Sequence, residues 1–210
     1  MPMKATRGGA GNCGPARPPR IRGTSPSAST CRRLLAAHAV PEHIQRHSRQ
    51  VARVARQIGA ALRERGEPID LALVEAAALL HDIAKAPCLE SRLDHAAEGG
   101  RVLRELGLPA VAAVVERHVH LGPSDPAGPV TAAELVNYAD KRVLYEDVVS
   151  LAARFRDLIV RYGRGQVEFE ERIRRNWTLM DAVEAKIFAR LPIGPGDVRT
   201  RRARRGGAGR

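Results

Sequence analysis

Aromatic residues make up only 3% of this 210-residue chain, and there are just three cysteines. So few aromatics cannot supply the base-stacking platforms that single-stranded nucleic-acid binders use. Cys13, Cys31 and Cys88 are odd in number, scattered and without paired metal spacing. They give no disulfide framework and fit a reducing, cytoplasmic setting. No apolar run approaches the ~18 residues of a membrane span, and no apolar core follows the N-terminal charges as in a signal peptide. Period-two alternation of β-branched residues is scarce as well. Alanine, valine and leucine at helical spacing dominate instead, and they predict an all-α fold of one domain with tails.

The net charge of +12 looks like a nucleic-acid signature until its distribution is considered. Residues 1–30 hold five basic residues and no acid, and residues 192–210 hold six arginines against Asp197. Between them, residues 31–191 hold 24 basic and 22 acidic residues, so the folding part is nearly neutral. The first arm is rich in Gly, Pro, Ser, Thr and Arg and is predicted to be disordered. Its Arg and Ser content resembles a transit peptide, but its Pro and Gly density works against the amphipathic helix such peptides form. The expected organisation is a disordered arm over 1–30, a core over 31–145, further helices over 146–191 packing on that core, and a disordered Arg-rich tail over 192–210. Nucleic-acid contact, if any, belongs to the tails and should weaken with salt.

Helices are expected over 32–39 and over 42–65, the second opened by Pro41 and stopped by Gly66. Its apolar stripe, Ile44, Val51, Val54, Ala55, Ile58 and Leu62, carries His47 on the same face. Asp70 can cap the next helix, residues 71–85, which reads LALVEAAALLHDIAK. A helix apolar on nearly every side is buried. Yet this one finishes on His81, Asp82 and Lys85, and burying a charge is costly unless it is paired or binds a metal. After a loop over 87–91, a helix over 94–107 turns Val102, Leu103 and Leu106 inward, with His95 and Gly99 on that face. Pro109 opens a helix with Val111, Val114 and Val115 inward and His118 continuing them. A loop over 122–129 leads to a helix capped by Thr131, in which Val136, Val143, Leu144 and Asp140 face inward. Two more helices, 148–162 and 167–191, are broken at Gly163 and Gly165, and Pro192 to Gly196 end the fold.

Five predicted helices thus each aim ionisable residues at the core: His47, His81 with Asp82, His95, His118 and Asp140. Any one alone is ordinarily a hydrogen-bonded core histidine or a cap. Six together form a mixed nitrogen and oxygen donor set of the kind Mn, Fe, Co, Ni or Zn accept, whereas all-oxygen sets suit Mg or Ca.

The strings HSRQVARVA from His47, LLHDIAK around the doublet and NYADK at Asp140 resemble the HD superfamily of metal-dependent phosphohydrolases, over residues 33–145. His95 and His118, lying between the doublet and the last Asp, resemble the two-metal subset. Ala84 departs from that subset, in which many members have Gly. The resemblance implies that His47, His81, Asp82 and Asp140 hold one metal and that Asp82 bridges to a second, completed by His95 and His118. It implies two divalent cations per chain, drawn from Mn, Fe, Co, Ni or Mg, and a metal-activated water attacking phosphorus without a nucleophilic side chain. Catalytic roles then fall to Asp82 and Lys85. Lys85 reads either as a phosphate contact or as a helix-end lysine favouring the dipole. His120 and His43 are candidate substrate contacts, and Glu98 is a candidate partner for the free N–H of a ligating histidine. His38 and Trp177 read as structural. Arg172, Arg174 and Arg175 read as a solvated face or the border of a phosphate entry path.

The implied partner is a small phosphorylated substrate such as a nucleotide, with no membrane involved. The run from His95 through Glu98 and Gly99 to His118 is similar to HD enzymes that split dinucleoside polyphosphates symmetrically. The Gly-Tyr-Pro signature of cyclic-dinucleotide phosphodiesterases is missing. Two other classes compete. A di-iron oxygenase would share the ligand set but leave Lys85 without a role, and a non-catalytic nucleic-acid-binding or scaffold protein rests on tail charge alone.

Overall fold

Residues 71–80, with Glu75 their only charge, form the helix around which the others pack. The structure, a computed structural model, describes residues 25–91, 93–163 and 165–198. Most of the predicted basic arm and tail lies outside the described residues. In chain order the helices are α1 (Ala28–Ala37), α2 (Glu42–Glu64), α3 (Leu71–Leu80), α4 (Lys85–Ser91), α5 (His95–Glu105), α6 (Pro109–Val115) and α7 (Ala132–Lys141). A two-stranded hairpin, β1 (Val143–Leu144) and β2 (Asp147–Val148), precedes α8 (Leu151–Leu158) and α9 (Val167–Phe188). α3 contacts α1, α2, α6 and α7, which is why it can be apolar all round. Gly59 lets α2 come close: a Cβ there would stand 2.9 Å from Leu71 and 3.1 Å from Leu135. The fold is all-α apart from the hairpin, and no helix among the described residues is long and apolar enough to cross a membrane.

Helix starts follow the expected caps. Asp70, Asp94 and Thr131 each accept hydrogen bonds from the first-turn N–H groups of α3, α5 and α7, and Thr131 forms a capping box with Glu134. The first helix begins earlier than expected, at Ala28, because Ser27 caps it by accepting from Thr30 N–H.

The structure corrects five other expectations. The stretch 71–85 is not one helix: α3 stops at Leu80, and Ile83 N–H and Lys85 N–H bond back three residues, to Leu80 and Asp82. That tighter turn breaks the phase before α4 begins, so α4 occupies the predicted loop over 87–91, with Pro87 tolerated in its first turn. Val143 and Leu144 leave the helix for the hairpin, where Val143 pairs with Val148 and Leu144 with Asp147. The segment predicted as a helix from 148 starts after Ser150, whose hydroxyl accepts from Ala153 N–H, and ends in a π-turn, Ile159–Gly163. The predicted tail is ordered at its start: Val198 is buried and Arg142 donates to the Pro195 carbonyl.

Candidate metal centre

The six predicted residues converge on one place. His47 comes from α2 and Asp140 from α7, both within a helix, and His95 opens α5. His81 with Asp82, and His118, do not continue their helices as expected; they sit in the turns that follow α3 and α6. On a helix, neighbours one apart diverge by about 100°. The turn removes that constraint and lets His81 and Asp82 face the same space.

Both turns use one local device. A helix end leaves its last carbonyls without partners. His81 Nδ1 bonds the Ala78 carbonyl at 2.8 Å, and His118 Nδ1 bonds the Val115 carbonyl at 2.6 Å, each three residues back. His47 Nδ1 does the same with the Tyr145 carbonyl, at 2.9 Å. A carbonyl only accepts, so all three rings carry the proton on Nδ1 and, when neutral, present a bare Nε2 lone pair inward.

Those lone pairs face acceptors. His47 Nε2 lies 3.0 Å from Asp140 Oδ1, and His81 Nε2 lies 3.6 Å from the same oxygen. His95 Nε2 and His118 Nε2 are 3.1 Å apart, and they stand 3.4 and 3.5 Å from Asp82 Oδ1. The other oxygen of Asp82 is 3.3 Å from His81 Nε2. Asp82 therefore turns one oxygen toward His81 and the other toward His95 and His118. The donor atoms fall into two groups that share it: His47, His81 and Asp82, and Asp82, His95 and His118.

Acceptor facing acceptor at about 3 Å calls for positive charge between them, and His81 Nε2 is fully buried without a hydrogen-bond partner. Donors at ~2.1 Å from an octahedral cation stand roughly 3 Å from their neighbours. The spacing and the nitrogen–oxygen mixture therefore fit divalent cations.

The charges of the cluster are strongly coupled. Burial alone would raise the Asp82 carboxyl, but the charges of His81 and Lys85 beside it hold it well below the usual carboxylate range. Asp140 is likewise held low against its burial, by Lys141, His47 and His81. Burial pushes His118 down to about 4, so its ring stays neutral at pH 7. His81 moves the other way: burial lowers it, but Asp82 and Asp140 together draw it up. A proton and a cation thus compete for the same side of His81.

Two lysines close the carboxylates. Lys85 Nζ donates to Asp82 Oδ2 at 2.7 Å, and its charge, disfavoured by burial, is favoured overall by Asp82 and Asp140. Lys141 Nζ donates to Asp140 Oδ2 at 2.7 Å and to the His118 carbonyl at 3.1 Å. Lys141 was not singled out in the sequence, although it ends the NYADK string. Gly99 helps to place His95. A Cβ there would stand 3.2 Å from Val115 and 3.6 Å from Ile83, so its absence lets α5 lie against α6 and the His81 turn. Ala84, the departure from the two-metal subset, has no positive φ, and its methyl is buried.

The cluster opens into a cavity of about 380 Å³. Asp82, Lys85, His95, His118 and Asp140 contribute to its lining, and the final helices complete it with Arg154, Phe155, Tyr162, Phe169, Arg172 and Asn176. His120 is exposed and lines the cavity, whereas His43 is exposed and lies outside that lining. Glu98 is also corrected: both its oxygens accept from Arg101. His38 is half-buried, and Trp177 stacks on Phe155 at 5.5 Å. A larger cavity of about 890 Å³ lies beside the hairpin, and no cluster residue lines it. Two of its charged groups are engaged by one another and the backbone: Tyr138 donates to Glu184, and Arg142 donates to the Tyr138 hydroxyl and the Val149 and Pro195 carbonyls.

Fold and site together define an all-α protein with a buried histidine and aspartate cluster of metal-binding type. The HD domain model matches residues 44–190, and the chain belongs to the HD domain family. Membership points to metal-dependent phosphohydrolase chemistry. The chain is similar to the uncharacterized protein MJ0778 of Methanocaldococcus jannaschii, with 30% identity over 127 residues, 51% of this chain and 74% of that protein. No solved structure matches it.

Proposed function

We propose that the chain hydrolyses a nucleotide or another phosphate ester, with water attacking phosphorus directly. The observation that carries this reading is the Asp82 carboxylate, divided between two histidine groups at the floor of a cation-lined cavity. His47, His81, Asp82 and Asp140 would hold one divalent cation, and Asp82, His95 and His118 a second. When bound, such a pair supplies Lewis acidity toward water and phosphoryl oxygens.

The chain's own residues do the rest. Asp82 and Asp140, held as carboxylates at neutral pH, keep the donor set anionic. Lys85 and Lys141 line the cavity beside them and offer ammonium N–H groups to phosphoryl oxygens. Among the described lining residues there is no Ser, Thr or Cys, which favours attack by water over a covalent intermediate. The apolar side chains of Phe155, Leu158 and Ile173 exclude bulk water from part of the wall. Lys85 beside the carboxylate also favours phosphate chemistry over oxygen activation at a di-iron centre. Two cavity arginines, Arg154 and Arg172, favour a substrate with several phosphates, as in symmetrical dinucleoside-polyphosphate hydrolysis. A nucleic-acid role for the basic ends would fall mainly on residues outside the described ones.

The test is a panel of phosphomonoesters, phosphodiesters and dinucleoside polyphosphates, assayed with Mn²⁺, Fe²⁺, Co²⁺, Ni²⁺ and Mg²⁺ in turn. Wild type should release phosphate or nucleotide products with at least one metal, and Asp82→Ala should release none. No turnover by wild type under any of these conditions would overturn the reading.

A further inference from the structure

Three arginines near the start of α9 look equivalent in sequence. Arg172, Arg174 and Arg175 each follow a glutamate by four residues: Glu168, Glu170 and Glu171. Glutamate before arginine at that spacing is the favourable order for a helical ion pair. Arg174 takes it, at 3.9 Å from Glu170, and so does Arg175, at 3.5 Å from Glu171. Arg172 does not. Its guanidinium lies 5.0 Å from the centre of the Phe169 ring, and both residues line the cavity that holds the metal centre.

The other cations of that lining are engaged. Lys85 pairs with Asp82, Lys141 with Asp140, and Arg154 with Asp157. Among the described residues no carboxylate pairs with Arg172, which makes it the lining cation with charge to spare. The described lining carries four cations in all, Lys85, Lys141, Arg154 and Arg172, against two carboxylates, Asp82 and Asp140, so it is suited to a ligand with more than one negative charge. The rim beside Arg172 is apolar and open: Leu89 is 69% exposed, Tyr162 56% and Phe169 42%. Large apolar groups left exposed together at a cavity mark a binding surface rather than scatter. A planar guanidinium held on an aromatic face keeps its N–H fork for bidentate contact with a phosphate.

We infer that Arg172, braced on Phe169, is a specificity-determining residue that binds a second phosphoryl group of the substrate, away from the one being hydrolysed. Tyr162 and Leu89 receive the organic part of that substrate. The substrate class is therefore an ester carrying at least two phosphoryl groups and an apolar or aromatic moiety. This rests on the phosphohydrolase reading above, but its test reads binding rather than turnover.

The experiment is calorimetric titration of the metal-loaded full chain with adenosine 5′-monophosphate and adenosine 5′-diphosphate. Wild type should bind the diphosphate about tenfold more tightly, the worth of one charge-assisted contact. Arg172→Ala should erase that preference while changing monophosphate affinity less than about twofold, and Arg172→Lys should keep part of it. Arg174→Ala, an exposed paired arginine outside the lining, should behave as wild type. A wild type with no preference for the diphosphate would overturn the inference. So would an Arg172→Ala variant that weakens both ligands equally or neither. Hydrolysis assays on the same preparations keep the two readings apart: loss of preference with turnover intact touches Arg172 alone, and preference without any turnover touches the phosphohydrolase reading alone.

Discussion

The ammonium of Lys141 stands 2.7 Å from Oδ2 of Asp140, the residue before it, and 3.1 Å from the carbonyl of His118. One buried side chain thus neutralises a carboxylate of the cluster and fastens the turn that carries one of its histidines. Lys141→Met would keep the stem and remove the charge. Breaking a buried ion pair from one side costs about 3–5 kcal/mol, because the other charge is left unpaired. Divalent cations at the cluster would restore positive charge beside Asp140. The variant should therefore lose about 3 kcal/mol in urea unfolding with chelator present, and less than about half of that with excess Mn²⁺. Equal losses in both conditions would mean that Lys141 acts through the His118 carbonyl rather than through Asp140.

Tyr145, in the hairpin, has a φ of 55°, and its carbonyl fixes the His47 ring at 2.9 Å. A left-handed conformation costs a side-chain-bearing residue roughly 1–2 kcal/mol. The ring itself lies under Arg161, 4.8 Å from its guanidinium. Backbone and ring are separable. Tyr145→Gly keeps the carbonyl and removes the strain, whereas Tyr145→Pro forces φ to about −65° and turns the carbonyl away. Titration against a fluorescent metal indicator should show Mn²⁺ affinity within about threefold of wild type for the glycine variant. The proline variant should lose roughly 10- to 100-fold, the usual effect of removing a partner that orients a ligating histidine. If glycine cost as much as proline, the ring would be the working part.

Burial on every side leaves its mark on composition, so α3 was legible as a central helix, and the stripes of α2 and α7 placed His47 and Asp140 correctly. Features set by the end of a period were not legible. The turn at His81 depends on bonds three residues back, which leave no repeat, and it hid both the break before α4 and the way His81 and Asp82 share one face. The hairpin strands have two residues each, too few for alternation to show. Lys141 was hidden because a lysine at a helix end ordinarily reads as solvated. Arg172 could not be told from Arg174 and Arg175, since all three have the same glutamate spacing and differ only in where the guanidinium points.

The final helix is tied to the core by a second buried pair, which predicts how the fold responds to acid. Lys186 of α9 donates to both oxygens of Glu134 at 2.8 and 3.0 Å, and Glu134 also accepts from Thr131 and Ser124. Burial alone would raise the Glu134 carboxyl, but the bonds from Lys186, Ser124 and Thr131 hold it below its ordinary 4.5. A carboxyl depressed in the folded state stabilises the fold above the unfolded value, and this contribution is lost as pH falls through the folded value. In that window the unfolded chain binds more protons, so stability declines with acid. Glu134→Gln removes the titrating group and leaves Lys186 without its charge partner, which should cost about 3 kcal/mol at pH 7. As pH falls from the ordinary carboxyl value through the lower folded one, wild type loses the same interaction by protonation, so the two stability curves should converge below the folded value. Asp82 and Asp140 titrate in both proteins, and the difference between the curves isolates Glu134. Urea unfolding from pH 7 to pH 3 measures it, and curves that stay parallel throughout would show that Glu134 acts through its hydrogen bonds to Thr131 rather than through its charge.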